Sequence, residues 1–215
     1  MTKKKAILFD LDGTLVNSAP TVLDIINQVR RQNNLKNIKL NPSIEQIISL
    51  GGRDMIVNLI SKDNVDDNLN TFRVMYEDYD LTNEILFDGV KELLPALRQK
   101  YSLAVLTNKP KLLVNKTIIH HNIESFFDCI VCREDVMKKK PDPEGFNLIL
   151  KTLNLIKDEV IYVGDSVVDL ELAKSLRVEF FLYNRLNLNQ SKKHNQYDYD
   201  EFDSFADLTK ILGIL

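Results

Sequence analysis

The sequence predicts an α/β fold, a mostly parallel sheet interrupted by an inserted all-helical segment. Three observations carry that prediction. Short apolar runs such as Ala6–Phe9, Ser102–Leu106 and Val160–Val163 have the character of strands buried on both faces of a parallel sheet. Segments of about ten residues at helical spacing separate them after Phe87, which implies right-handed crossovers with helices on both faces. Residues 16–86, by contrast, repeat apolar positions only at helical spacing and offer no convincing strand. The expected division is a core of 1–15 and 87–215 and a helical insert of 16–86.

In order, the first strand is Ala6–Phe9. A helix follows over residues 20–34, with Val22, Ile25, Ile26 and Val29 on one face and Pro20 in its first turn. A second begins near Asn41-Pro42-Ser43 and is interrupted at Gly51-Gly52-Arg53. A third runs through Met55, Val57, Leu59 and Ile60, and a fourth covers Asp66–Asp80. Beyond Phe87 the spacing predicts helix Val90–Lys100, strand Ser102–Leu106, helix Lys111–His121, strand Cys129–Cys132 and helix Pro143–Leu153. Strand Val160–Val163, helix Asp169–Leu176, strand Glu179–Tyr183 and helix Phe205–Leu212 complete it. The polar stretch Asn184–Asp203 reads as irregular.

Composition excludes several classes of function. With 215 residues, 44% hydrophobic and 27% charged, the chain is an ordinary globular protein with room for one substantial core and an insert. A net charge of −3 lacks the cationic footprint of a nucleic-acid binder. No apolar run nears the roughly 18–20 residues of a membrane span, and no signal-peptide core follows the N-terminal charges, so a cytoplasmic location is expected. Cys129 and Cys132 have CxxC spacing, but on a strand they face opposite ways, which fits structural cysteines better than a metal or redox pair. The adjacent His120 and His121 read as boundary residues rather than a ligand pair.

The residues with chemical potential gather just beyond strand ends. They are Asp10 and Asp12 after the first strand, Thr107 and Asn108 after Leu106, and Gly164, Asp165 and Asp169 after Val163. Lys140 lies between the next strand and its helix. In an open α/β sheet these positions border one crevice at the carboxyl ends of the strands. Clustered carboxylates suit Mg²⁺, which prefers one or two of them together with phosphate oxygens and water. A lysine and a threonine with free backbone amides suit an anion rich in acceptor oxygens. A carboxylate can also act as nucleophile toward phosphorus, with a second one as general acid and base. The set fits phosphoryl transfer, and it lacks both the GxxxxGK[ST] and GxGxxG loops.

Four stretches, FDLDGTLVNS, LTN at Leu106–Asn108, KKKPDPEGF and VGDSVVDLELA, occur in an order and spacing that resembles the haloacid dehalogenase superfamily of hydrolases. Within it the chain is similar to the phosphoglycolate phosphatase-like and β-phosphoglucomutase-like group, whose Rossmann-like core carries a helical cap. The resemblance covers essentially the whole chain. It implies Asp10 as nucleophile and metal ligand, and Asp12 as general acid/base that also binds metal through its carbonyl. It implies Thr107 and the Asn108 amide as phosphoryl binders and Lys140 as the cation beside the nucleophile. Asp165 would complete a Mg²⁺ site, with Asp169 ligating or supporting it.

Three departures from that group stand out. Position 17 is Asn where Asp is common, the turn before Val178 lacks its usual glycine, and FFLYNR replaces a small, glycine-containing turn. In the insert, Arg53 on the Gly51-Gly52 turn is the candidate to reach an anionic substrate group. The implied activity is Mg²⁺-dependent hydrolysis of a small phosphorylated metabolite such as 2-phosphoglycolate. A phosphomutase and a non-catalytic metal- and phosphate-binding regulator are the alternatives.

Overall fold

The computed structural model describes residues 3–185 and 198–214. Its centre is a six-stranded parallel sheet of β1 (Ala6–Phe9), β4 (Ser102–Leu106), β5 (Cys129–Val131), β6 (Val160–Gly164), β7 (Glu179–Tyr183) and β8 (Asp200–Phe202). The order is β5-β4-β1-β6-β7-β8. β1 lies between β4 and β6, in register from Ala6 opposite Ser102 and Val160.

Alternation along the strands divides the core into two layers. Ile7, Phe9, Val105 and Val163 point to one face, where α5 (Val90–Arg98), α6 (Lys111–His120) and α9 (Phe205–Ile211) cover them. Ala6, Leu8, Ala104, Leu106 and Tyr162 point to the other, under α7 (Glu144–Leu153) and α8 (Val167–Leu176). All four residues of β1 are fully buried, which is why that strand reads as an unbroken apolar run. The cysteines follow the same rule: Cys132 packs in the first layer and Cys129 beside the second.

The helices α1 (Ala19–Gln32), α2 (Pro42–Leu50), α3 (Gly52–Leu59) and α4 (Val65–Asp78) pack around a third cluster. Ile25, Ile26, Val29, Met55, Ile56, Leu59, Phe72 and Tyr76 form it, and Leu113 of α6 joins them. Asn41 caps α2, accepting the Ile44 amide at 3.1 Å, and Pro42 occupies the first turn. No helix among the described residues is long and apolar enough to cross a membrane.

The structure corrects the sequence reading at two places and shows how a third is built. The segment 16–86 is not free of strand, because β2 (Val16–Asn17) pairs antiparallel with β3 (Ile85–Leu86) where the chain enters and leaves the helical block. Part of the expected irregular stretch Asn184–Asp203 is a strand: β8 adds to β7 through residues 200–202, with Phe202 as its buried residue. Residues 186–197 of that stretch lie outside the described residues. At the turn without glycine, Arg177 takes the left-handed conformation (φ 53°) that ends α8. A side chain there costs about 1 kcal/mol relative to glycine.

Candidate active site

At the end of β1 the Asp10 amide still donates to Val163 O at 2.9 Å, so the sheet itself fixes that residue. The chain then turns tightly through Gly13, whose φ of +87° favours glycine. A β-carbon at Gly13 would lie 2.2 Å from Asp165 Oδ2, so glycine also makes room for that carboxylate. Gly164 does the same for Asp169, which a β-carbon would approach to 2.6 Å. Asp169 stands in the first turn of α8, where Ser166 and Asp169 cap each other reciprocally. That box starts α8 at Val167, two residues earlier than apolar spacing places it.

Lys140 reaches this point from the loop after β5. Its Nζ donates to Asp10 Oδ1 and Asp169 Oδ1, each at 2.7 Å, and to Tyr162 Oη at 3.3 Å. Asp10, Asp165 and Asp169 each present an oxygen within 4.8 Å of the others. Three carboxylates thus face one lysine, a net deficit of positive charge. Burial pushes the Asp10 carboxyl up to about 7, with the Asp169 and Asp12 charges adding to it and Lys140 opposing. Burial, then the charges of Asp10 and Asp169, also raise Asp165 well above the usual carboxylate range. Burial acts likewise on Asp169, but Lys140 outweighs it and holds that group below its ordinary value.

Asp169 is saturated by its neighbours. Oδ1 accepts from Lys140 and Tyr162, and Oδ2 from the Ser166 amide and hydroxyl at 3.2 and 2.5 Å. Four donors fill a carboxylate, which fits Asp169 for a supporting part. Among the described residues Asp165 accepts one bond, from the Thr14 hydroxyl at 3.0 Å. The donor set Asp10 and Asp165, hard oxygens short of positive charge, fits a divalent cation.

The other expected residues sit as follows. Thr107 is buried at the end of β4, and its hydroxyl accepts the Lys109 amide at 3.1 Å. The Asn108 side chain clasps the Lys140 backbone at both ends, accepting its N–H at 2.9 Å and donating to its carbonyl at 3.1 Å. Asn108 therefore fixes the loop that delivers the lysine. The Asp12 carboxylate is not one of the three clustered ones and accepts from Lys109 Nζ at 2.9 Å. Arg53 lies on the helical block, ion-paired with Asp66 and more than half exposed.

Asp10, Asp12, Arg53, Thr107, Asn108, Lys140 and Asp165 line one cavity of about 1240 Å³ between the strand ends and the helical block, and Asp169 lies behind that wall. Its wall adds Ile48, Met55, Leu69 and Phe72 from the helices, and Arg73, Arg133, Lys138 and Lys139 as further cations. Arg185, in the unusual turn after β7, bridges the two parts. It pairs with Glu45 of α2 at 2.6 Å and stacks 4.9 Å above the Phe87 ring. Sequence reasoning missed Lys109, Tyr162, Thr14 and Ser166. Only Ser166 carried a local signal, the Ser-x-x-Asp spacing before an apolar run.

The model of the haloacid dehalogenase-like hydrolases matches residues 7–183. The chain belongs to that family. A phosphoglycolate phosphatase of Colwellia psychrerythraea is 26% identical, with 97% of this chain and 96% of that protein covered. An N-acetylmuramic acid 6-phosphate phosphatase of Pseudomonas putida is 32% identical over 78% of this chain and 77% of its own length. Among solved structures, a haloacid dehalogenase-like family hydrolase from Streptococcus pneumoniae has the same fold. Its TM-score is 0.82 at 21% identity, with 98% of this chain and 100% of that one covered.

Proposed function

We propose that this hydrolase is a Mg²⁺-dependent phosphatase acting on a small phosphomonoester through an aspartyl-phosphate on Asp10, with 2-phosphoglycolate the first candidate. The observation that carries the reading is the arrangement around Asp10. A buried carboxylate at the floor of a cationic cavity has a lysine at 2.7 Å and two further carboxylates alongside. The relatives' names point the same way. In this reading 1–15 and 87–215 are the catalytic core and 16–86 is a cap that selects the substrate.

Asp10 and Asp165, with the Asp12 carbonyl, would hold the Mg²⁺, and Asp169 would support them. A divalent cation there supplies the missing positive charge, keeping Asp10 ionised and offsetting the charge of the phosphoryl oxygens. A carboxylate oxygen of Asp10 attacks phosphorus; the O–P bond to Asp10 forms as the ester P–O bond breaks. Asp12 gives its proton to the departing alkoxide. Asp12, now a carboxylate, takes a proton from water whose oxygen attacks phosphorus, releasing phosphate and restoring both residues. Thr107 and the Asn108 amide bind the phosphoryl oxygens, and Lys140 neutralises charge that gathers beside Asp10. Arg53 leaves Asp66 to meet an anionic tail on the substrate.

The test is Mg²⁺-dependent phosphate release from 2-phosphoglycolate, β-glucose 1-phosphate, pyrophosphate, a nucleoside monophosphate and p-nitrophenyl phosphate. Asp10→Asn, expected to fall by at least about 10³-fold while remaining folded, serves as blank. Release concentrated on one ester names the substrate. Parent-like release by Asp10→Asn refutes the nucleophile, and isomerised hexose phosphate in place of free phosphate identifies a mutase.

A further inference from the structure

Lys109 is a second buried lysine, and the hydrolytic scheme above gives it no part. It follows Asn108 at the end of β4, and its side chain is only 6% exposed. An ammonium carries three N–H donors, and each finds an oxygen on a different element. The partners are Asp12 Oδ1 at 2.9 Å, Thr117 Oγ1 of α6 at 2.9 Å and Tyr76 Oη of α4 at 3.1 Å. Tyr76 passes its own proton donor on to Glu84 at 2.8 Å. Glu84, in the return from the helical block, lies 3.6 Å from the Lys109 ammonium, and its side chain is fully buried. Burial would strip Lys109 of its charge, but the Asp12 charge first, then Tyr76 and Glu84, outweigh it and hold the ammonium charged.

Its location is unusual for a structural ion pair. One end of the network is a carboxylate on the cavity wall, and the other is made by residues of the helical block. Holding Oδ1 from one side fixes the plane of the Asp12 carboxylate. Because Tyr76 and Glu84 fix the ammonium in turn, that plane depends on α4 being docked against the strand ends.

We propose that Lys109 is a positioning residue for Asp12, aiming its carboxylate at the substrate's leaving oxygen, and that Tyr76 and Glu84 make this alignment conditional on the docked helical block. The inference rests on the phosphatase reading, in which Asp12 is the acid. A misaimed acid hurts esters whose alkoxide must be protonated and spares an aryl phosphate, whose phenolate leaves unaided.

The experiment compares kcat and KM for Lys109→Met on the preferred alkyl phosphate of the panel and on p-nitrophenyl phosphate. The expected kcat loss is about 100-fold on the alkyl ester against about threefold on the aryl ester, with KM within about twofold on both. In an Asp12→Asn background the same substitution should cost the alkyl ester no more than about twofold, because residues acting through one group are non-additive. Equal losses on the two esters, or additivity with Asp12→Asn, overturn the proposal. Should Lys109→Met fail to fold, Tyr76→Phe decides, since it removes one hydroxyl and keeps the ring. It should lower alkyl turnover by about tenfold and aryl turnover by less than half; no loss, or a loss independent of leaving group, overturns the proposal. A parent inactive on the whole panel sinks the phosphatase reading as well; an active parent with symmetric losses sinks this inference alone.

Discussion

Asp10 and Asp12 stand two residues apart, yet each is attended by its own buried lysine. Lys140 meets Asp10 and Tyr162 on or just beyond strands of the sheet and Asp169 in the first turn of α8, all within the core. Lys109 meets Asp12, Tyr76 and Thr117, with Glu84 nearby, and so joins the sheet to the helical block. The charge balance differs as much as the setting. Around Lys140 three carboxylates share one cation, and burial raises Asp10 and Asp165. Around Lys109, burial would raise Glu84 too, but the nearby His121 ring, 3.6 Å away, and the Lys109 charge prevail and bring it down to about 2. Three carboxylates stand with one ammonium around Lys140 and two with one around Lys109, so the first cluster has the greater shortage of positive charge and is the better fitted to accept a cation.

The largest effect expected from breaking this contrast is that of Lys140→Met. It leaves Asp10 and Asp169 buried without their cation, so stability should fall by about 3–5 kcal/mol and phosphate release by at least about 10³-fold. Urea unfolding and the release assay read the two; a loss of stability without a loss of turnover would remove Lys140 from the chemistry. Next comes the metal. Saturating Mg²⁺ should raise the melting temperature of the parent by roughly 5–10 °C. Asp165→Asn should abolish that rise, while Asp12→Asn, whose carboxylate belongs to the other cluster, should keep it. The same rise in both variants would erase the distinction between the clusters.

Glu84→Gln probes the Lys109 side. It should cost about 2 kcal/mol near neutral pH, because Lys109 and His121 lose a buried charge. The sign of its pH dependence is fixed by a folded pKa of about 2 against an ordinary 4.5. Stability from this group is complete above about pH 4.5 and is lost as pH falls toward 2, by roughly 3 kcal/mol in all. Urea midpoints down the acid limb should therefore fall less steeply in the variant; parallel slopes would place Glu84 outside the network. Smallest is Arg185→Ala, which removes the Glu45 pair and the stacking on Phe87. A decrease of about 1 kcal/mol, or 2–4 °C in melting temperature, is expected. An unchanged melting temperature would show that the Arg185 bridge adds nothing to the ties made by Lys109, Lys116 and Leu113.

These two clusters were not equally legible in the sequence. Asp10, Asp165, Asp169 and Lys140 each follow a buried strand, and β1, β4, β6 and β7 stand out because parallel strands are apolar on both faces. Lys109 follows a strand as well, but a lysine before a proline carries no mark of burial. Its partners Tyr76 and Glu84 are 33 and 25 residues away along the chain, in segments whose own pattern speaks only of helix packing. Side-chain networks of that kind are tertiary and leave no periodicity. The fold shows the same limit: β8 reads Asp-Glu-Phe, an edge strand with one buried side chain and charges that resemble loop. The two-residue strands β2 and β3 are too short for any alternation to register. Asn108 was expected to serve through its amide, and its side chain turns out to grip the Lys140 loop, a contact that only the folded geometry brings together.

The β2–β3 ribbon has a consequence for how such proteins diversify. Val16 faces Leu86 and Asn17 faces Ile85, so the chain departs from the sheet and comes back one strand spacing away, about 5 Å. Whatever lies between those two points closes a loop whose ends are already pinned together. Its length and sequence can drift, or be exchanged wholesale, without shifting the register of a single core strand. The exception is the Lys109 junction, where Tyr76 and Glu84 of the inserted segment reach the residue that holds Asp12, so those two positions are not free to change with the rest.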